Sequence, residues 1–119
     1  WQDPKTAPVR LYYVGWSTST GEADWALRPL LYGESWPPRL FNTAYYKNEK
    51  VDGDIKKAQL TTDSAEKAKL YKDAQETIWN DAPWAPLVVE QLLSAHNKKL
   101  SGVYVIPDAS FNFNEIDLR

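Results

Sequence analysis

Ser17, Thr18 and Ser19 form an uncharged hydroxyl run between Trp16 and the turn Thr20-Gly21, with Trp25 a few residues beyond. Hydroxyls donate and accept hydrogen bonds without carrying charge. An indole beside them offers a flat apolar wall. Together they suit a small polar molecule with several amide and carboxylate groups; the same residues also describe a Ser/Thr-rich turn next to a core tryptophan. Residues for bond-breaking chemistry are sparse. His96 is the one histidine, and there is no cysteine, so triads, thiolate metal sites and redox pairs lack their parts. Glu22 and Asp24 form a carboxylate pair that could suggest glycoside hydrolysis. They flank an expected helix start, however, where acids are favoured by the helix dipole and serve as caps. The G-W-S-T-S-T-G stretch lacks the lysine and spacing of a phosphate-binding loop. These residues point to binding without catalysis, cofactor or metal.

The elements that must hold this loop can be read on either side of it. Residues 9 to 16, V-R-L-Y-Y-V-G-W, are rich in β-branched and aromatic types and predict a strand buried on both faces. Ligands of α/β sheets meet the carboxyl ends of strands, which is where the hydroxyls stand. Asp24 is expected to cap a short helix over A-L-R-P-L-L, although Pro29 deprives that helix of one backbone bond. The paired prolines in G-E-S-W-P-P-R exclude helix over residues 33 to 39. Asn48 can cap a helix in which Val51, Ile55 and Ala58 share a face, with Gly53 weakening it. The clearest helix runs from Asp63 to Ala82. It opens on Asp63 with Glu66 in a variant of the capping box and places Ala68, Tyr71, Ala74, Gln75, Ile78 and Ala82 on one face; Pro83 ends it. Three further strands are expected, over residues 86 to 96, 102 to 108 and 111 to 116. The order of elements predicts an α/β or α+β fold.

Composition narrows the class. The chain has 119 residues, 43% hydrophobic and 25% charged, as in ordinary globular domains. A net charge of −2 leaves no footprint for nucleic acid. No apolar run has the length of a membrane span. The chain opens without methionine and without the basic and apolar regions of a leader, so the expectation is a fragment whose N-terminal part and signal peptide lie elsewhere. Six tryptophans and seven tyrosines would mostly build core, and those beside the hydroxyl loop would build a binding surface.

G-W-S-T-S-T-G-E-A-D-W resembles the signature stretch of the periplasmic solute-binding proteins of peptide and nickel ABC importers, in which a strand ends in Gly-Trp before a polar loop and an acidic turn. N-T-A-Y-Y-K-N-E-K-V-D, T-D-S-A-E-K-A-K-L-Y-K-D-A-Q and A-P-W-A-P-L-V-V-E resemble later blocks of that family, in order, from about residue 9 to the C-terminus. W-S-T-S-T-G-E-A-D-W-A-L and W-P-P-R-L-F-N-T-A are most similar to its glutathione-binding subgroup. The resemblance implies an α/β fragment of a two-lobed type II binding-protein fold. Residues 1–90 would complete the second large lobe, and residues 91–119 would cross back to the N-terminal lobe. It implies a periplasmic receptor that captures glutathione and hands it to an inner-membrane permease driven by ATPase subunits. Receptors for dipeptides, oligopeptides, haem-like molecules or nickel chelates are the alternatives on that scaffold, and a carbohydrate-binding module is the alternative outside it. By the same resemblance Trp16 walls the cleft, Ser17, Thr18 and Ser19 bond the ligand, and Asn42, Thr43 and Tyr45 approach from the second block. Gly21, Glu22 and Asp24 keep the turn and cap the helix, and Trp25 packs in the lobe. The family's peptide receptors carry an aspartate where this chain has Ser19, which suits glutathione better than ordinary peptides. An isolated fragment would leave strand edges open and self-associate.

Overall fold

The computed structural model describes residues 3, 5, 6, 8, 11–106 and 108–118. Three helices and one short ribbon make up its regular structure: α1 (Asp24–Leu31), α2 (Glu49–Leu60), α3 (Ser64–Asp81), β1 (Leu100–Ser101) and β2 (Asp117–Leu118). The fold is mixed, mainly helical, with little sheet.

Helix α2 starts as its sequence predicts. Asn48 accepts hydrogen bonds from the amides of Lys50 and Val51, and Val51, Ile55 and Ala58 are all 0% exposed along one stripe. Asp63 caps α3 in the same way, accepting from Ala65 and Glu66. The expected capping box is replaced by a relay. Thr61 Oγ1 donates to Glu66 Oε2 at 2.7 Å and accepts from the Asp63 amide at 3.2 Å, so Glu66 reaches the cap through a hydroxyl. Ala82, in the left-handed conformation with φ 47°, ends the helix before Pro83.

Only three residues separate α2 from α3, so the two form an antiparallel hairpin. Lys50, in the first turn of α2, bonds the Asp73 carbonyl and Thr77 in the second half of α3. At the same end, Asp81 Oδ2 accepts from Tyr46 Oη at 2.6 Å and Asn48 Nδ2 at 2.8 Å. Helix α1 covers the hairpin with Leu27, Leu30 and Leu31, and these join Val51, Ile55, Ala58, Tyr71 and Ala74 in one core. Of the face expected for α3, Tyr71 and Ala74 are buried and Ile78 packs against the core, joined by Leu70, while Ala68, Gln75 and Ala82 are exposed.

Two expectations for α1 are corrected. Ala23, not Asp24, occupies the cap position and makes no side-chain cap. Asp24 is already helical and accepts from Arg28 Nε at 2.9 Å, from Arg28 Nη2, and from Tyr71 Oη at 3.1 Å. A carboxylate with a guanidinium four residues on and a phenol across the core has stronger partners than two backbone amides.

The strand expectations fail for a shared reason. Residues 9 and 10 lie outside the described residues, and 11 to 16 form no strand: Leu11 is 92% exposed, and Tyr12, Tyr13 and Val14 are also exposed. Residues 86 to 96 likewise carry Leu87, Val88, Val89, Leu92 and Leu93 in the open. A strand needs neighbours for its backbone and cover for its faces, and the described residues supply neither. The two arms meet at a side-chain bond, Tyr13 Oη to Glu90 Oε1 at 3.4 Å. Strands over 102 to 108 and 111 to 116 shrink to a Val105–Phe111 bridge, with the ribbon pairing Leu100 to Leu118 and Ser101 to Asp117; Pro107 lies outside the described residues. Gly102, at φ 72°, lets the ribbon close, because a Cβ there would overlap the Glu115 carbonyl.

The open arms set the dimensions. The radius of gyration is 18.1 Å, against roughly 13–14 Å for a compact domain of this length. The accessible surface is 9269 Å², where roughly 6,600 Å² is usual for this mass. The helical cluster is a core with apolar surface left over.

Candidate functional site

The hydroxyl loop leaves the first arm at Gly15 and turns into α1 through Gly21, at φ 72°. The Thr20 hydroxyl accepts from the Glu22 amide at 3.3 Å and tightens that turn. Gly15, Trp16, Ser17, Ser19 and Trp25 line an open pocket of about 420 Å³. Ser17 and Ser19 are exposed, and Thr18 is half-buried and absent from the lining. Trp25 faces the pocket, 53% exposed, which corrects its expected packing in the interior. Sequence reasoning missed it as a site residue. Its place one residue into α1 gave no local signal of that exposure, which depends on how the helix sits on the hairpin.

Trp16 is fixed on two sides. Its indole Nε1–H donates to the Trp25 carbonyl at 3.0 Å, and its ring meets Phe41 at a centroid distance of 5.5 Å. The contact with Phe41 joins the hydroxyl loop to the second block, because Phe41 precedes Asn42 and Thr43.

The second block is built around Asn42, which is fully buried. Its Nδ2 donates to the carbonyls of Tyr32 at 3.0 Å and Tyr46 at 2.8 Å, and its Oδ1 accepts from the Tyr46 amide at 3.1 Å. Both amide protons are therefore spent inside the fold. Thr43 is half-buried at a tight turn in which its amide donates to the Phe41 carbonyl at 2.7 Å. Tyr45 stands in the left-handed region, φ 52°, with its ring edge-on to Trp36 at 5.6 Å. Partial desolvation and the carboxylate of Asp3 raise the Tyr45 phenol above its usual pKa. Trp36 Nε1 donates to the Tyr46 carbonyl at 3.0 Å. The structure thus joins Trp16 to the second block through Phe41, puts Ser17 and Ser19 in the pocket with it, and leaves Thr18, Asn42, Thr43 and Tyr45 outside its lining.

None of the residues lining the pocket is an acid, a base or a thiol. No group of three or more potential metal ligands occurs among the described residues, and none of their helices is long and apolar enough to cross a membrane. The pocket instead presents two indoles, two hydroxyls and a glycine backbone, which together can stack on a planar or apolar group and bond a polar one.

Comparison with known proteins gives a close likeness over nearly the whole chain. It is 54% identical over 115 residues to the glutathione-binding protein GsiB of Salmonella typhimurium, and 55% identical over 115 residues to those of Escherichia coli and Shigella flexneri. Each match covers 97% of this chain and 22% of the relative, so the chain spans about a fifth of the length of the proteins it matches. No protein-family model matches it.

Proposed function

We propose that this chain is part of a solute-binding receptor that captures glutathione and passes it to an ABC importer. One observation carries the reading: 54–55% identity over 97% of the chain to proteins named for binding glutathione. A match over 115 of the 119 residues takes in the loop, the helices and the arms. The role is binding and delivery, not catalysis. By the same reading the receptor works in the periplasm, and its partners are a membrane permease and the ATPase subunits that drive it.

The open arms support a place in a larger two-lobed α/β fold. Residues 11 to 16 and 86 to 96 have the residue types of buried strands and nothing in the described chain to pair with. In the whole receptor they join strands supplied by the rest of the protein. Residues 1–90 then complete one lobe, and 91–119 return to the other.

The pocket supports the ligand class. Glutathione is a flexible tripeptide whose γ-linked glutamate carries an ammonium and a carboxylate on one carbon. In this reading Trp16 and Trp25 wall the ligand, while Ser17 and Ser19 bond its amide or carboxylate groups without adding charge. Thr18, Thr43 and Tyr45 approach from the rim, and Asn42 holds the backbone beneath them. A dipeptide receptor would want a carboxylate facing the α-ammonium, and Ser19 offers a hydroxyl. The test is calorimetry on the full-length protein. Trp16→Ala is expected to weaken glutathione binding by about 1–3 kcal/mol, as for a hot-spot aromatic, and Ser19→Asp to shift preference toward simple dipeptides through a charge-assisted bond. Unchanged affinity in the first and an unchanged ligand ranking in the second would refute this reading of the site.

A further inference from the structure

Two carbonyls of α1 are released from helical pairing, and each is taken by a segment of the site. In an α-helix the carbonyl of Trp25 accepts from the amide four residues on. That residue is Pro29, which has no N–H. Trp16 Nε1 fills the vacancy at 3.0 Å. The carbonyl of Pro29 belongs to the last turn, where helical partners run out. Gly33 N–H, which could have closed one more turn, donates to Asp52 Oδ1 at 2.8 Å instead. The Pro29 carbonyl then accepts from the Phe41 amide at 3.0 Å. The two side chains so placed, Trp16 and Phe41, pack against each other at 5.5 Å.

We infer that Pro29 and Asp52 are positioning residues of the ligand site. Pro29 withholds a donor so that Trp16 is anchored, and Asp52 diverts one so that Phe41 can back it. The inference rests on the proposed role of Trp16 in the pocket. A Cβ on Gly33 would stand 2.5 Å from Asp52 Oδ2, so glycine leaves the carboxylate its room beside the amide. The indole has one edge tied to the helix and its ring against Phe41, and it turns the remaining surface to the pocket. A proline inside a short helix lowers helix stability. Here that cost leaves an acceptor for the tryptophan that lines the site.

The decisive property is that binding and stability move in opposite directions. Pro29→Ala in the full-length protein restores a donor aimed at the Trp25 carbonyl, in competition with Trp16. A melting temperature at or above that of the parent is expected, with solvent exchange of the Trp16 indole N–H at least about tenfold faster and glutathione affinity about three- to tenfold weaker, on the order of one net hydrogen bond. Trp16→Phe keeps a ring and removes the N–H. It should weaken binding similarly, and the double variant should be no weaker than either single one. If Pro29→Ala lowers the melting temperature while leaving indole exchange unchanged, proline serves the fold alone and the inference falls. Additive losses in the double variant would overturn it as well. Indole exchange is read without ligand, so a parent protein that fails to bind glutathione would sink the proposed function and still leave the positioning role measurable. Should Pro29→Ala not fold, Asp52→Ala carries the test: faster Trp16 exchange upholds the coupling through Phe41, and unchanged exchange refutes it.

Discussion

Val51 and Val89 are the same residue in opposite surroundings. The first is 0% exposed in the core, and the second is 99% exposed on an arm. Around Val51, helices α1, α2 and α3 close on one another. Around Val89, residues 86 to 96 run on without cover, as 11 to 16 do. A helix pairs its own backbone and asks its neighbours only to cover one stripe. A strand asks another segment for hydrogen-bonding partners and for cover on at least one face. The helical part is therefore closed within residues 24–81, while the strand-like part finds no such partners among the described residues.

The comparison breaks most easily at its closed end. Ile55 is fully buried where α1 meets the hairpin. Ile55→Ala is expected to cost about 2–5 kcal/mol, through lost transfer energy and the cavity left behind. Chemical unfolding followed by far-ultraviolet circular dichroism measures it. A loss under about 1 kcal/mol would mean the cluster is as loosely held as the arms.

A smaller effect is expected at the link between α1 and α3. Tyr71 Oη donates to Asp24, and burial together with that carboxylate raises its pKa from 10.0 to about 12. A raised folded-state pKa favours the protonated form. The contribution is therefore complete below about pH 10 and is lost as pH rises from there through about 12. Tyr71→Phe should lower stability by about 0.5–1.5 kcal/mol at neutral pH, the usual net value of a hydrogen bond, and flatten the alkaline decline between those limits. An alkaline decline that persists unchanged in Tyr71→Phe would assign it to other groups.

The same contrast explains what could be read from the residues. The caps at Asn48 and Asp63 and the stripe Val51, Ile55, Ala58 were legible because each depends on residues within a turn or two. The strand expected over residues 9 to 16 was legible as a residue type and is not a formed element over 11 to 16, because the described residues offer it no partner. In the site, the pairing of Trp16, Ser17 and Ser19 with an open pocket was visible as an indole beside hydroxyls at a turn. Trp25 was not, because its exposure follows from how α1 sits on the hairpin. Asp24 bridges Arg28, a local partner four residues on, and Tyr71, which lies 47 positions away and leaves no local mark.

The smallest effect on folding, and the one that sharpens the contrast most, is expected at Val89. The side chain touches almost nothing, so Val89→Lys should change the stability of the helical cluster by no more than about 0.5 kcal/mol, the range for exposed substitutions. Its effect belongs to association. Val88, Val89, Leu92 and Leu93 are exposed on a strand-like sequence with no strand partner among the described residues, and such segments template pairing with another chain unless a charge interrupts them. The purified 119-residue chain is therefore expected to form concentration-dependent dimers or larger species through its arms. Val89→Lys should shift that equilibrium toward monomer while the helical circular dichroism signal stays constant. Light scattering across a concentration series reads the first quantity and thermal melting the second. A chain that is monomeric at every concentration before substitution would show that the arms find cover within the chain itself, and the division into a closed helical part and a dependent strand-like part would fail. A large drop in melting temperature for Val89→Lys would fail it from the other side, by making an exposed valine part of the core.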